Sequence, residues 1–94
     1  MTASPVVSAI ADVAPRDRVV VRGRIRSIRV RPWGDNPTLE VVVFDDTGGI
    51  TAVFLARRKI AGLRLGAELT IDGVASTNRG RLTILNPSYS LHAD

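Results

Sequence analysis

Ninety-four residues are enough for one modest hydrophobic core and too few for two, so a single domain is expected. A hydrophobic share of 45% with 23% charged residues excludes wholesale disorder, and the absence of cysteine excludes a disulfide framework, thiol chemistry and cysteine-ligated zinc, which points to the cytoplasm. The formal charge is +4, and Lys59 is the only lysine among 13 basic residues. Arginine forks suit phosphate oxygens, yet G- and C-rich coding gives the same bias, so placement weighs more than ratio.

The N-terminal stretch MTASPVVSAIADVAPRDR has no basic region followed by a sustained apolar run, so neither a signal peptide nor a membrane span is read there. Residues 1–9 are read as a flexible lead-in, 10–91 as one domain and 92–94 as a tail. The first strand covers roughly Arg18 to Arg31. Within VRGRIRSIRVRP, Arg22, Arg24 and Arg26 alternate with Val21 and Ile25, the pattern of a half-buried strand. After Ser27 the phase flips: Ile28 and Val30 carry the apolar face, Arg29 and Arg31 the polar one. One inserted residue is a β-bulge, and a long bent strand that serves two sides suits a small closed barrel.

PWGDNPT reads as a loop, with two prolines, a glycine, an aspartate and an asparagine. LEVVVFD is the second strand, DDTGG a tight hairpin turn and ITAVFLA the third strand. RRKIAGLRLG places Ile60 and Leu63 three apart, as in a short helical turn that plugs a barrel end. AELTIDGVAS is the fourth strand, TNRG a turn and RLTILNP a fifth strand ended by Pro87. SYSLHAD is an exposed tail whose Tyr89 and Leu91 can pack back. The expected fold is all-β: a five-stranded Greek-key barrel of the oligonucleotide/oligosaccharide-binding (OB) kind, with a short helical connector between strands three and four. An SH3-like barrel lacking that connector is the alternative.

The stretch FDDTGGITAVFLARRKIAGLRLGAELTIDGVASTNRGRLTILNPSYSL, residues 44–91, resembles the OB-fold wedge domain of RecG-type branch-migration helicases. The similar elements are the Asp-Thr-Gly hairpin, the Val53-Phe54 pair, Gly66 before the fourth strand and the GRLTILNPSY ending. With RDRVVVRGRIRSIRVRP as first strand, the likeness covers roughly residues 10–91. The wedge of such helicases contacts branched DNA, and for this chain the likeness implies a barrel that binds nucleic acid. Helicase activity is not carried over, because the 94 residues contain no GxxxxGK[ST] phosphate loop.

OB barrels bind ligands on the face of strands two and three, between the first and last inter-strand loops. That face holds Val42, Phe44, Thr51 and Val53, with the parity of the third strand open. Phe44 is either an exposed stacking aromatic or a core residue under the tail, whereas Phe54 belongs in the core. Trp33, between Pro32 and Gly34, is either a base-stacking platform or a cover for the barrel rim. The basic candidates are Arg24, Arg26, Arg29 and Arg31 on the first strand, Arg57, Arg58 and Lys59 in the connector, and Arg79 and Arg81 at the last turn. Singly, each fits a solvated face; together they form a phosphate-binding patch with no sequence preference. Asp45 and Asp46 are turn residues, with no third carboxylate placed to complete a metal shell. His92 has no partner for a nucleophile-and-base pair, so no catalytic residue and no cofactor is assigned. The expected function is binding of single-stranded or branched DNA, RNA included as a ligand type. The alternative is a protein-binding or self-associating OB domain.

Overall fold

The structure, a computed structural model, describes residues 6–33 and 35–92, excluding the side chain of Trp33. Residues 1–5 of the expected lead-in and 93–94 of the expected tail lie outside that range. Six strands are formed: β1 (Arg18–Trp33), β2 (Asn36–Phe44), β3 (Gly49–Leu55), β4 (Glu68–Asn78), β5 (Arg81–Leu85) and β6 (Ser88–His92). The sheet runs β1-β2-β3-β5-β4-β6, and β1 pairs again with β4, so five strands close into a ring. All pairings between strands are antiparallel except β3 with β5. This is the expected OB barrel. Among the described residues no helix is long and apolar enough to cross a membrane.

The phase flip in β1 is a bulge. Ile25 faces Val43 and Ser27 faces Val42, which leaves Arg26 as the extra residue. Ile25 is buried and Ile28 packs partly buried against the same core, so both stay on the inner side. Arg18–Arg24 pair with β4, and from Arg24 onward β1 pairs with β2. At this change of partner a Cβ on Gly23 would collide with the Phe44 carbonyl, so the backbones approach this closely only because position 23 is glycine.

Four expectations are corrected. The loop expected over residues 32–38 is strand up to its tip: Pro32 faces Pro37 and Trp33 faces Asn36, which leaves two residues for the turn. Both prolines lack an N–H, and since they share one rung the ladder loses its donors in one place. Val30, expected on the apolar face, is 54% exposed. Among the described residues β1 has no second neighbour along this hairpin arm, so nothing covers that side.

The connector between β3 and β4 is not helical. It makes isolated turns, Leu63 N–H to Ile60 O at 3.2 Å and Ala67 N–H to Arg64 O at 3.1 Å. Ala56, Gly62 and Gly66 have positive φ (59°, 85° and 85°), which a right-handed helix cannot contain. Ile60 still reaches the core and Leu63 packs on it, so the plug survives without the helix. Finally, Pro87 interrupts the last strand rather than ending it. β5 lies along Asn78–Ala75 of β4, and β6 continues along Asp72–Glu68. Asn86 (φ 48°) makes the step, donating its N–H to Val53 O at 2.6 Å and accepting from Leu55 N–H at 2.9 Å. Tyr89 meets Phe54 edge-on, with ring centroids 5.5 Å apart, and His92 Nε2 lies 2.6 Å from Thr70 Oγ1.

The helical piece among the described residues is a 3-10 turn at Ile10–Asp12, preceded by Ser8 N–H bonding Val20 O at 2.8 Å. Asp45 ties it to the β2–β3 turn. Its Oδ2 accepts the Ile10 N–H (2.8 Å), and its Oδ1 accepts Thr47 N–H (2.7 Å), Thr47 Oγ1–H (2.6 Å) and Gly48 N–H (3.0 Å). Burial pushes this carboxyl's pKa up, but the hydrogen bonds from Thr47, Ile10 and Gly48 together outweigh burial and hold it below its ordinary value.

Candidate nucleic-acid interface

The arginines of β1 point outward as a row, but most are already engaged. Arg22 grips Glu68 with two hydrogen bonds, Nε to Oε1 at 2.9 Å and Nη2 to Oε2 at 3.1 Å. That hydrogen-bonded pair, and then its charge, raises the arginine pKa, and the same bond lowers that of Glu68. Arg24 donates from Nη1 to Gly66 O at 2.9 Å. The Arg26 guanidinium lies over the Phe44 ring, 4.3 Å from its centroid. Arg31 Nε approaches Glu40 Oε1 at 3.3 Å, and Arg18 Nε approaches Asp72 Oδ1 at 3.6 Å. Arg29 alone of the β1 candidates has no side-chain partner among the described residues.

Phe44 is half-buried beneath that guanidinium and lies along Gly49, where a Cβ would come within 2.6–2.9 Å of its ring. It is therefore an arginine-covered aromatic, neither a bare platform nor a core residue. The backbone of Trp33 ends β1 opposite Asn36, near the tip of the hairpin arm; its side chain lies outside the described residues. Arg57, Arg58 and Lys59 are exposed and without side-chain partners among the described residues. They follow Leu55, which pairs with Thr38, itself opposite Arg31.

An open cleft of about 710 Å³ lies on the outer face of β2, β3 and β5. One rim is Arg31 and Pro32 of the hairpin arm, and the other is Asn78, Arg79 and Arg81 around the β4–β5 turn. Its floor is Glu40, Thr51, Val53 and Thr83. The parity of β3 is thereby fixed: Thr51 and Val53, the latter only 5% exposed, share the cleft side, while Ile50, Ala52 and Phe54 belong to the core cluster. Val42 and Phe44 do not line the cleft. Of the basic candidates the fold brings Arg31, Arg79 and Arg81 together here, and leaves Arg24, Arg26, Arg29 and the connector trio outside.

The β4–β5 turn is built to display Arg79. Asn78 pairs with Arg81, so only Arg79 and Gly80 turn the chain, both left-handed with φ of 54° and 77°. A two-residue hairpin turn of this hand suits Asn or Gly at the first position, and an arginine there is strained. Neither Arg79 nor Arg81 has a side-chain partner among the described residues. Glu40, Asn78 and Thr83 were not among the sequence candidates. The signal for Glu40 was its shared parity with Val42 and Phe44; for Asn78 it was its place beside the Arg-Gly turn.

Ring order and cleft position together define an OB barrel with a polar, cation-rimmed groove on the outer face of β2, β3 and β5. No family model matches the sequence, and no curated protein does. Among 22 matching chains of solved structures is RecG bound to a three-way DNA junction, at TM-score 0.70 and 17% identity. The match covers 89% of this chain and 12% of that one, a likeness of fold to one part of a much longer protein.

Proposed function

We propose that this barrel is a nucleic-acid-binding module that holds single-stranded or branched DNA across the cleft, and that it acts as a binder, not a catalyst. The matching part of RecG is taken to be its wedge domain. The observation that carries the reading is the pair of unpartnered arginines, Arg79 and Arg81, facing Arg31 across the β2–β3 face. Phosphates seated there need no competing ion pair broken at the β4–β5 rim. Arg29 and the exposed Arg57, Arg58 and Lys59 extend the basic surface beyond the cleft.

Fluorescence anisotropy of a labelled single strand tests this. With three to five phosphates neutralised, log affinity falls against log salt with a slope of roughly −2 to −3.5, at about −0.7 per phosphate. The double variant Arg79→Glu, Arg81→Glu flattens that slope by about two phosphates' worth. Binding that is indifferent to salt, or unchanged in the double variant, refutes the reading and favours a protein partner.

A further inference from the structure

A carboxylate on the floor of a cationic cleft works against phosphate binding. Glu40 faces Arg29 on β1 and Val53 on β3, and it meets Arg31 diagonally at 3.3 Å. This contact is an ion pair without hydrogen-bond geometry, and the Arg31 side chain is 51% exposed, so it contributes little to stability. Among the described residues no hydrogen bond occupies either Glu40 oxygen, and the side chain lines the cleft with Oε1 beside Arg31. The Glu40 side chain is also only 27% exposed, which fixes its position better than that of a free surface side chain.

Two acceptor oxygens side by side are complemented by two adjacent N–H donors. Among DNA bases only guanine presents that edge, N1–H beside the 2-amino group. The amino groups of adenine and cytosine sit next to a ring acceptor, which would oppose the second oxygen. Thymine offers one N–H between two carbonyls. Val53 beneath and the Thr51 hydroxyl beside the site give a base an apolar floor and a polar edge. Resting on the nucleic-acid reading above, we propose that Glu40 reads guanine, adding one point of base discrimination to a grip otherwise indifferent to sequence.

The test uses anisotropy with three strands: an oligothymidine, the same strand with one central guanine, and that strand with hypoxanthine, which lacks the 2-amino group, in its place. The guanine strand binds about tenfold tighter than oligothymidine, the scale of one bidentate base contact, and hypoxanthine falls between. Glu40→Gln abolishes the preference while tightening oligothymidine about two- to threefold, because a charge that repels phosphates is gone. Glu40→Asp, which keeps the charge and shortens the reach, loses the preference without that gain. A purely structural Glu40 would shift all three strands by one common factor. Equal wild-type affinities, or a preference that survives Glu40→Gln, overturns the proposal and leaves the nucleic-acid reading standing. Failure of the wild type to bind oligothymidine at low salt overturns both.

Discussion

Asp45→Ala removes the acceptor that joins the N-terminal 3-10 turn to the barrel. The bonds from Ile10 N–H and Gly48 N–H are partly buried, whereas those from Thr47 face solvent, where water replaces them. Counting the two shielded bonds at about 1.5 kcal/mol each, the low end for bonds to a charged group because they are only partly buried, and discounting the exposed ones, the loss is about 3 kcal/mol. For a domain of this size that lowers the melting temperature by about 12–24 °C. Calorimetry measures it, and hydrogen exchange at the Ile10 amide reports whether the 3-10 turn has come away. The pH dependence has a definite sign. Because the folded carboxyl titrates below its ordinary 3.8, its contribution is complete above that value and is lost as pH falls through the lower folded one. The gap between wild type and variant is therefore constant near neutrality and narrows in acid. A variant that melts within about 3 °C of wild type at neutral pH refutes the accounting, since that is less than 1 kcal/mol.

Gly23→Ala forces a methyl group against the Phe44 backbone, and urea midpoints should show a loss of about 1–3 kcal/mol; Gly49→Ala, which meets only the movable Phe44 ring, costs less. Arg79→Asn relieves a left-handed arginine, so it stabilises by about 0.5–1 kcal/mol while weakening oligonucleotide binding, and measuring both on one sample separates strain from function. Asn86→Ala removes the acceptor for Leu55 N–H and a residue suited to its positive φ, for a loss of about 1–2 kcal/mol in thermal melts. Titration with single strands quenches the fluorescence of Trp33, the sole tryptophan, and Trp33→Ala weakens their binding by roughly one to two orders of magnitude, as stacking of about 1–3 kcal/mol requires; unchanged affinity with lowered stability withdraws the stacking role.

The barrel was legible where burial imposes a rhythm. The flip after Ser27 located the bulge, because arginines cannot enter the core and an inserted residue must shift them together. Turn chemistry misled at Pro32–Thr38: proline and glycine mark a turn, yet here two prolines share a rung and the strands run on to the tip. The same punctuation hid β6, since Pro87 with Asn86 only steps the chain sideways along β4. Helical spacing at Ile60 and Leu63 correctly predicted a plug, but the spacing also fits a bare turn, and the positive φ of Gly62 and Gly66 decided it. The charged surface was the least legible part. Arg22 finds Glu68 and Arg24 finds the Gly66 carbonyl more than forty positions away, so which arginines are already occupied depends on ring closure.

The links of the ring differ in length, and the β3–β5 link is the shortest, with the four rungs of the β4–β5 hairpin next. Seven rungs join β2 to β3 and seven join β1 to β4, but β3 and β5 share only three, Thr51 to Thr83, Ala52 to Ile84 and Val53 to Leu85. The barrel opens most easily there, where the fewest hydrogen bonds resist separation. Thr51 and Val53 on one side of that seam and Thr83 on the other also form the cleft floor. Whatever fills the cleft bridges the two lips of the seam, so occupancy and closure are linked: a ligand that binds only the closed ring makes the open one rarer by a factor that grows with its concentration relative to its dissociation constant.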